Sequence, residues 1–169
     1  MRIKKNSINK TIIKFRFCII FLLGTVAASL LLSSPSLARL VTDQLGRQIS
    51  LPDDPQRVVA LAPSITEIIY ALGQEHRLKG VTLFSDYPNA AQNLPTVGSY
   101  VHLDLEKIVA LKPDLCIAIK DGNPKEVIDR LDSLEIPVYA VDPRNLATII
   151  ETIQDIGLLL GANDRAAFL

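Results

Sequence analysis

Short unbroken runs of apolar residues alternate along this chain with longer stretches in which apolar positions recur every three or four residues. Residues 105–118 show both patterns back to back. Leu105, Ile108, Val109 and Leu111 share one face of a helix, which Pro113 cannot continue because it lacks an N–H and clashes with the turn before it. Asp114 follows, and then five apolar residues, 115–119, which suit a strand covered on both faces. A helix delivered through a two-residue break into a buried strand is half of a βαβ unit.

The same grammar recurs on either side. Residues 41–51 predict a short hairpin turning at Gln44-Leu45-Gly46 and ended by Pro52 and Pro55. Residues 57–61 predict a first buried strand. Ser64-Ile65-Thr66-Glu67 has the form of a capping box, opening a helix through Ile68, Ile69 and Leu72 that ends at Gly73. Residues 78–84 predict a second strand and residues 85–101 a polar, proline-containing loop, after which Asp104 caps the helix described above. Asn123 and Pro124 are expected as cap and first-turn proline of the next helix. Glu126 completes that box, and Val127, Ile128, Leu131 and Leu134 form the inner face. Residues 137–141 predict a fourth strand. Leu146, Ile149, Ile150, Ile153, Ile156 and Leu160 predict a last full helix closed by Gly161, and Asn163 or Asp164 could cap another.

The fold class expected is therefore α/β, a Rossmann-like parallel sheet with helices on both faces. Ligands of such sheets sit at the carboxyl ends of the strands, where helix N-termini point. That edge carries Pro63, Ser64, residues 84–88, the Tyr100 loop and residues 121–123.

Composition adds a leader. Residues 1–16 hold six basic residues (Arg2, Lys4, Lys5, Lys10, Lys14 and Arg16) and no acid, and residues 17–32 are apolar apart from Gly24, Thr25 and Ser29. Ser36-Leu37-Ala38 offers the small residues a signal peptidase reads, so residues 1–38 are expected as a signal peptide cleaved after Ala38. The alternative is an uncleaved membrane anchor, although sixteen apolar residues fall short of the ~20 that span a bilayer. Cys18 lies at the start of the apolar run, not at its end where a lipoprotein cysteine sits, so no lipid attachment is expected.

The whole chain is formally neutral. Removing the leader's six from eighteen basic residues leaves twelve against eighteen acids, a net charge of −6. That sign argues against a nucleic-acid partner. Cys116, inside an apolar run, reads as a packing residue, not a nucleophile. His76 and His102 are too few for a histidine-rich metal site, and no metal is expected.

Catalytic signatures are absent. No Gly-x-Gly-x-x-Gly follows a strand, and neither a phosphate-binding P-loop nor a Gly-x-Ser-x-Gly elbow occurs. Ser64 is read as a helix cap and His102 as a solvated loop histidine. No catalytic residue and no cofactor is expected, and the chain is not read as an enzyme.

Several pieces, in order, resemble the substrate-binding proteins of ATP-driven (ABC) importers for vitamin B12 and iron complexes. They are Asp43-Gln44-Leu45-Gly46-Arg47, residues 57–67, Ser85-Asp86-Tyr87-Pro88 and residues 105–115, and Ser-Asp-Tyr-Pro is most similar to the cobalamin-binding branch. The resemblance implies two α/β lobes joined by a rigid helix, with the ligand in the cleft between them. It implies residues 39–162 as the N-terminal lobe and residues 163–169 as the start of a truncated interlobe helix. It also implies a periplasmic, monomeric protein that delivers a small molecule to a membrane permease.

By motif, Pro63, Ser64, Phe84, Tyr100, Asp121 and Gly122 would face the ligand. Tyr100 would pack against the corrin, Phe84 would make a second aromatic contact, and Tyr87 would brace its loop. Glu106 would grip permease arginines. The alternatives are a ferric siderophore or haem as ligand, with Tyr100 or His102 as iron ligand, or a lone lobe acting as an interaction module. With one lobe alone, weak or no ligand affinity is expected.

Overall fold

The computed structural model describes residues 38–169. The expected leader, including Cys18, lies outside the described residues except for Ala38. β1 (Ala38–Thr42) and β2 (Gln48–Pro52) form the antiparallel hairpin. Four parallel strands then build the sheet, in the order β4-β3-β7-β8: β3 (Val58–Ala60), β4 (Leu78–Gly80), β7 (Leu115–Ile119) and β8 (Val138–Val141). β5 (Gly98–Ser99) and β6 (His102–Leu103) make a two-stranded turn around Tyr100. The helices are α1 (Pro63–Ala71), α2 (Leu105–Ala110), α3 (Lys125–Ser133), α4 (Leu146–Leu159) and α5 (Asn163–Ala166).

Side-chain alternation along the strands divides the core in two. Val58, Ala60, Leu115, Ile117, Tyr139 and Val141 point to one face, where α1, α4 and α5 cover them. Val59, Leu61, Cys116, Ala118, Val138 and Ala140 point to the other, where α2 and α3 contribute Ile108, Ile128 and Leu131. Burial pushes the Cys116 thiol well above its ordinary pKa. Iodoacetamide should therefore leave Cys116 unmodified in the folded chain and label it in urea, as read by peptide mass mapping; rapid labelling of the native protein would contradict this packing.

The hairpin guards the free edge of β8, which would otherwise offer unpaired backbone groups. Gln44 donates from its backbone N–H to Ala140 O at 3.2 Å and accepts the Asp142 N–H on its side-chain oxygen at 2.7 Å. The Asp43 carboxylate accepts from the Arg47 N–H (2.8 Å), the Arg47 guanidinium (2.9 Å) and the Ala140 N–H (3.3 Å). At the opposite end of the sheet, Asp114 accepts the backbone N–H groups of Gln56 and Arg57, both at 2.8 Å. The helix-Pro-Asp-strand sequence is thus tied to the start of β3.

Several local expectations are corrected. Ser64 makes no cap: α1 begins two residues earlier than expected, with Ala62 as its N-cap and Pro63 in its first turn, where a missing N–H costs nothing. The second strand stops at Gly80 instead of running to residue 84, and the chain continues beside residues 96–98 through Val97 N to Val81 O (2.9 Å) and Leu83 N to Gly98 O (2.8 Å). Asp104 does cap α2, accepting from Lys107 N at 3.1 Å, and that bond first of all lowers its carboxyl pKa. Asn123 caps nothing: α3 starts at Lys125 and the Asn123 side chain turns inward. Val109, Leu134, Leu146, Ile149 and Ile150, expected inside, are exposed. α4 carries an unforeseen capping box between Asn145 and Thr148.

Candidate functional site

The strand order reverses between β3 and β7, because the chain leaves β3 for β4 on one side and returns to β7 on the other. The crevice at the carboxyl ends of those two strands is where open α/β sheets place ligands. The expected site residues all lie around that edge. Pro63 and Ser64 open α1, directly after β3, with Ser64 exposed. Phe84 is 59% exposed and Tyr100 38% exposed, on adjacent strips of chain joined by the Leu83 to Gly98 hydrogen bond. Asp121 and Gly122 follow β7. Neither aromatic is drawn into the core.

Tyr100 and Gly122 are in direct contact. A Cβ built on Gly122 would fall 2.7 Å from Tyr100 Cδ2 and 2.8 Å from Cε2, and Gly122 has φ +137°, a conformation that disfavours any other residue. Next to them stands Asn123, 9% exposed. Its carboxamide donates to Leu61 O and to Tyr100 O, each at 2.8 Å, and accepts the Ile119 N–H at 2.7 Å. The Asn-Pro pair in the sequence suggested a helix start, and nothing local distinguishes that use from this long-range one.

On the α1–α4 side, a mostly apolar groove of about 510 Å³ runs from Ser64 past Ile68, Tyr87, Ile119 and Pro143 to Ile149. Tyr87, the expected loop brace, lines it and is 68% exposed. Its loop is instead anchored by buried hydroxyls: Ser85 Oγ lies 3.1 Å from Thr66 Oγ1 and 2.9 Å from Thr82 Oγ1. Ile119, half-buried at the tip of β7, is an apolar wall of this groove that the sequence reading placed only in a strand.

The tips of β7 and β8 carry charge, but paired. Lys120 meets Asp142 at 3.1 Å, and Arg144 meets Asp142 at 2.8 Å and Asp121 at 3.8 Å. The Arg144 hydrogen bond holds the Asp142 carboxyl below its usual range. Asp121 is therefore directed toward Arg144. Glu106 sits exposed in the first turn of α2, and among the described residues no cation forms an ion pair with it. Among the described residues there is no cluster of three metal-ligating side chains, and no described helix is long and apolar enough to cross a membrane. A second recess, of about 530 Å³ and lined by Arg47, Asp132 and Glu135, lies where β8 begins, opposite the crevice.

A doubly wound lobe with an aromatic edge at its switch point is an architecture that solute-binding proteins share with other ligand binders. The chain belongs to the periplasmic binding protein family, which matches residues 58–169, well over half of it. That family consists of periplasmic solute-binding proteins, not enzymes. The vitamin B12-binding protein of Yersinia pestis (strain Pestoides F) is 40% identical over 101 residues, which is 60% of this chain and 36% of the relative.

Among solved structures, a periplasmic haem-binding protein from Pseudomonas aeruginosa superposes with a TM-score of 0.65 at 32% identity, over 67% of this chain and 41% of its own. The molybdate-binding periplasmic protein of a Haemophilus influenzae ABC transporter shares the fold, with a TM-score of 0.69 at 22% identity over 76% of this chain and 48% of its own. The chain thus spans between about a third and a half of the length of these relatives.

Proposed function

We propose that this chain is the N-terminal lobe of a periplasmic cobalamin-binding protein that serves an ABC importer. The observation that carries the reading is the exposed aromatic edge, Phe84 and Tyr100 beside the groove floored by Ile119, at the carboxyl ends of the strands. A large ring system with apolar faces suits aromatic side chains, an apolar wall and few unpaired charges. The charges at the tips of β7 and β8 pair with one another, and Glu67 adds a single exposed acid to the groove lining. An anion such as a phosphate is less well served, because Pro63 removes one N–H from the first turn of α1 and no glycine-rich loop follows β3. The vitamin B12-binding relative points the same way.

Pro63, Ser64, Asp121 and Gly122 complete the ligand-facing set, and Glu106 docks the lobe onto basic residues of the permease. An exposed acid of this kind steers association more than it holds the complex. The protein is exported to the periplasm through its leader, which is cleaved after Ala38, and acts as a monomer.

Haem is the second reading, favoured by the exposure of both Tyr100 and His102 in one turn. Parallel absorbance titrations with cyanocobalamin and haemin separate the two. Cobalamin is expected to bind weakly to this lobe and Tyr100→Ala to abolish that binding. A Soret shift with haemin that is lost in His102→Ala or Tyr100→Phe would replace cobalamin with haem. Capture by a permease that survives Glu106→Ala would remove the docking role.

A further inference from the structure

The ladder between β3 and β7 ends in an unusual way. Leu61 N donates to Ile117 O at 2.9 Å. The evenly spaced bonds of a parallel pair would next join Ile119 N to Leu61 O. In their place, the Asn123 carboxamide is inserted: its oxygen takes the Ile119 N–H at 2.7 Å and its nitrogen gives a proton to Leu61 O at 2.8 Å. The side chain acts as a detached peptide group that fills the last rung and holds the two strand tips apart at the switch point. The second Nδ2 hydrogen is donated to Tyr100 O at 2.8 Å, so both donors and one of the two acceptor positions of the carboxamide are used. Gly122, one residue earlier, leaves the space that the Tyr100 ring occupies.

We infer that Asn123 is a positioning residue that, with Gly122, fixes the Tyr100 ring at the mouth of the switch-point crevice. The crevice is thereby closed to a group entering between the strands, and the ligand meets a preset aromatic face instead. Such fixing removes ordering that binding would otherwise have to supply. That Tyr100 faces a ligand rests on the cobalamin reading; that Asn123 fixes Tyr100 does not.

The chain has four tyrosines, Tyr70, Tyr87, Tyr100 and Tyr139, so 3-fluorotyrosine labelling gives four ¹⁹F resonances, with Tyr100→Phe assigning one. N123D keeps the acceptor for Ile119 but sets a carboxylate against the Leu61 and Tyr100 carbonyls. N123S shortens the side chain without adding charge. G122A pushes a methyl group into the ring. In each variant the Tyr100 resonance is expected to shift or broaden while the other three keep their positions. An unmoved Tyr100 resonance in N123D and N123S would overturn the inference. So would loss of all four signals in both, which would mark Asn123 as a general support of the fold. The readout needs no ligand, so it succeeds or fails separately from cobalamin binding.

Discussion

Asp43→Ala is expected to destabilise the lobe by about 2–3 kcal/mol, below the range for a fully buried charged pair because Arg47 is 32% exposed and keeps other partners. Asp43 is 5% exposed, and its carboxylate holds the hairpin turn and the edge of β8 at once. Without it, the N–H groups of Leu45 and Arg47 lose their acceptor. The Arg47 guanidinium then keeps only Asp132 at 3.1 Å and Val138 O at 2.9 Å. Each buried donor left unpaired costs about 1–3 kcal/mol, so the contributions overlap in one network and do not simply add. Urea denaturation followed by circular dichroism reads the loss as a lower midpoint with an unchanged slope. A shift corresponding to under about 1 kcal/mol would show that the Asp-x-x-Gly-Arg turn is surface decoration and not a clamp.

Gly98→Ala carries the second large effect, and it falls on the site. Gly98 has φ +94°, and a Cβ there would collide with the His102 carbonyl oxygen and stand 3.0 Å from Asp104 N. Both obstacles are backbone, so neither can swing aside as a side chain tip would. The left-handed conformation and the collision together cost about 2–3 kcal/mol. The turn between β5 and β6 would open, carrying Tyr100 with it and loosening the Asp104 N to Val97 O bond (2.9 Å) at the start of α2. The expected result is a lower urea midpoint together with faster amide exchange at Leu83, Asp104 and Lys107. Native exchange at those three amides would contradict the tight-turn account.

How far the sequence exposed the fold can be judged from particular residues. The apolar run of β7 was legible in full, because a strand covered on both faces has no alternation to blur its ends. The hairpin was legible from Gly46 and the prolines that end it, and the α2 cap from Asp104, because both depend on residues close by in the chain. Ser64 was misread because α1 starts at Pro63 and places it inside the first turn, and Asn123 for a different reason. A carboxamide has the same bonding capacity whether it meets a helix N–H three residues on or a carbonyl 62 residues back, as Asn123 does at Leu61. Pro63 and Pro124 mark helix starts, but not which neighbour does the capping. The inner faces of α3 and α4 were drawn too wide, since periodicity shows which residues share a face and not how much of it is covered.

The candidate site was legible as an edge and not as an assembly. Strand-then-helix repeats imply that Phe84, Tyr100, Asp121 and Gly122 gather at the carboxyl ends of the strands. The contact between the Tyr100 ring and Gly122, the pairing of Asp121 with Arg144, and the apolar wall at Ile119 all depend on separations that no local pattern records.

On the function proposed, the Phe84–Tyr100 edge, and no other surface of this lobe, receives a corrin ring. An amide chemical-shift titration of the ¹⁵N-labelled chain with cyanocobalamin tests it most directly. Fast-exchange shifts are expected at Ser64, Phe84, Tyr100, Asp121 and Gly122, with binding weaker than micromolar. Silence at those amides, or shifts centred on Arg47 and Asp132 at the opposite recess, would contradict it.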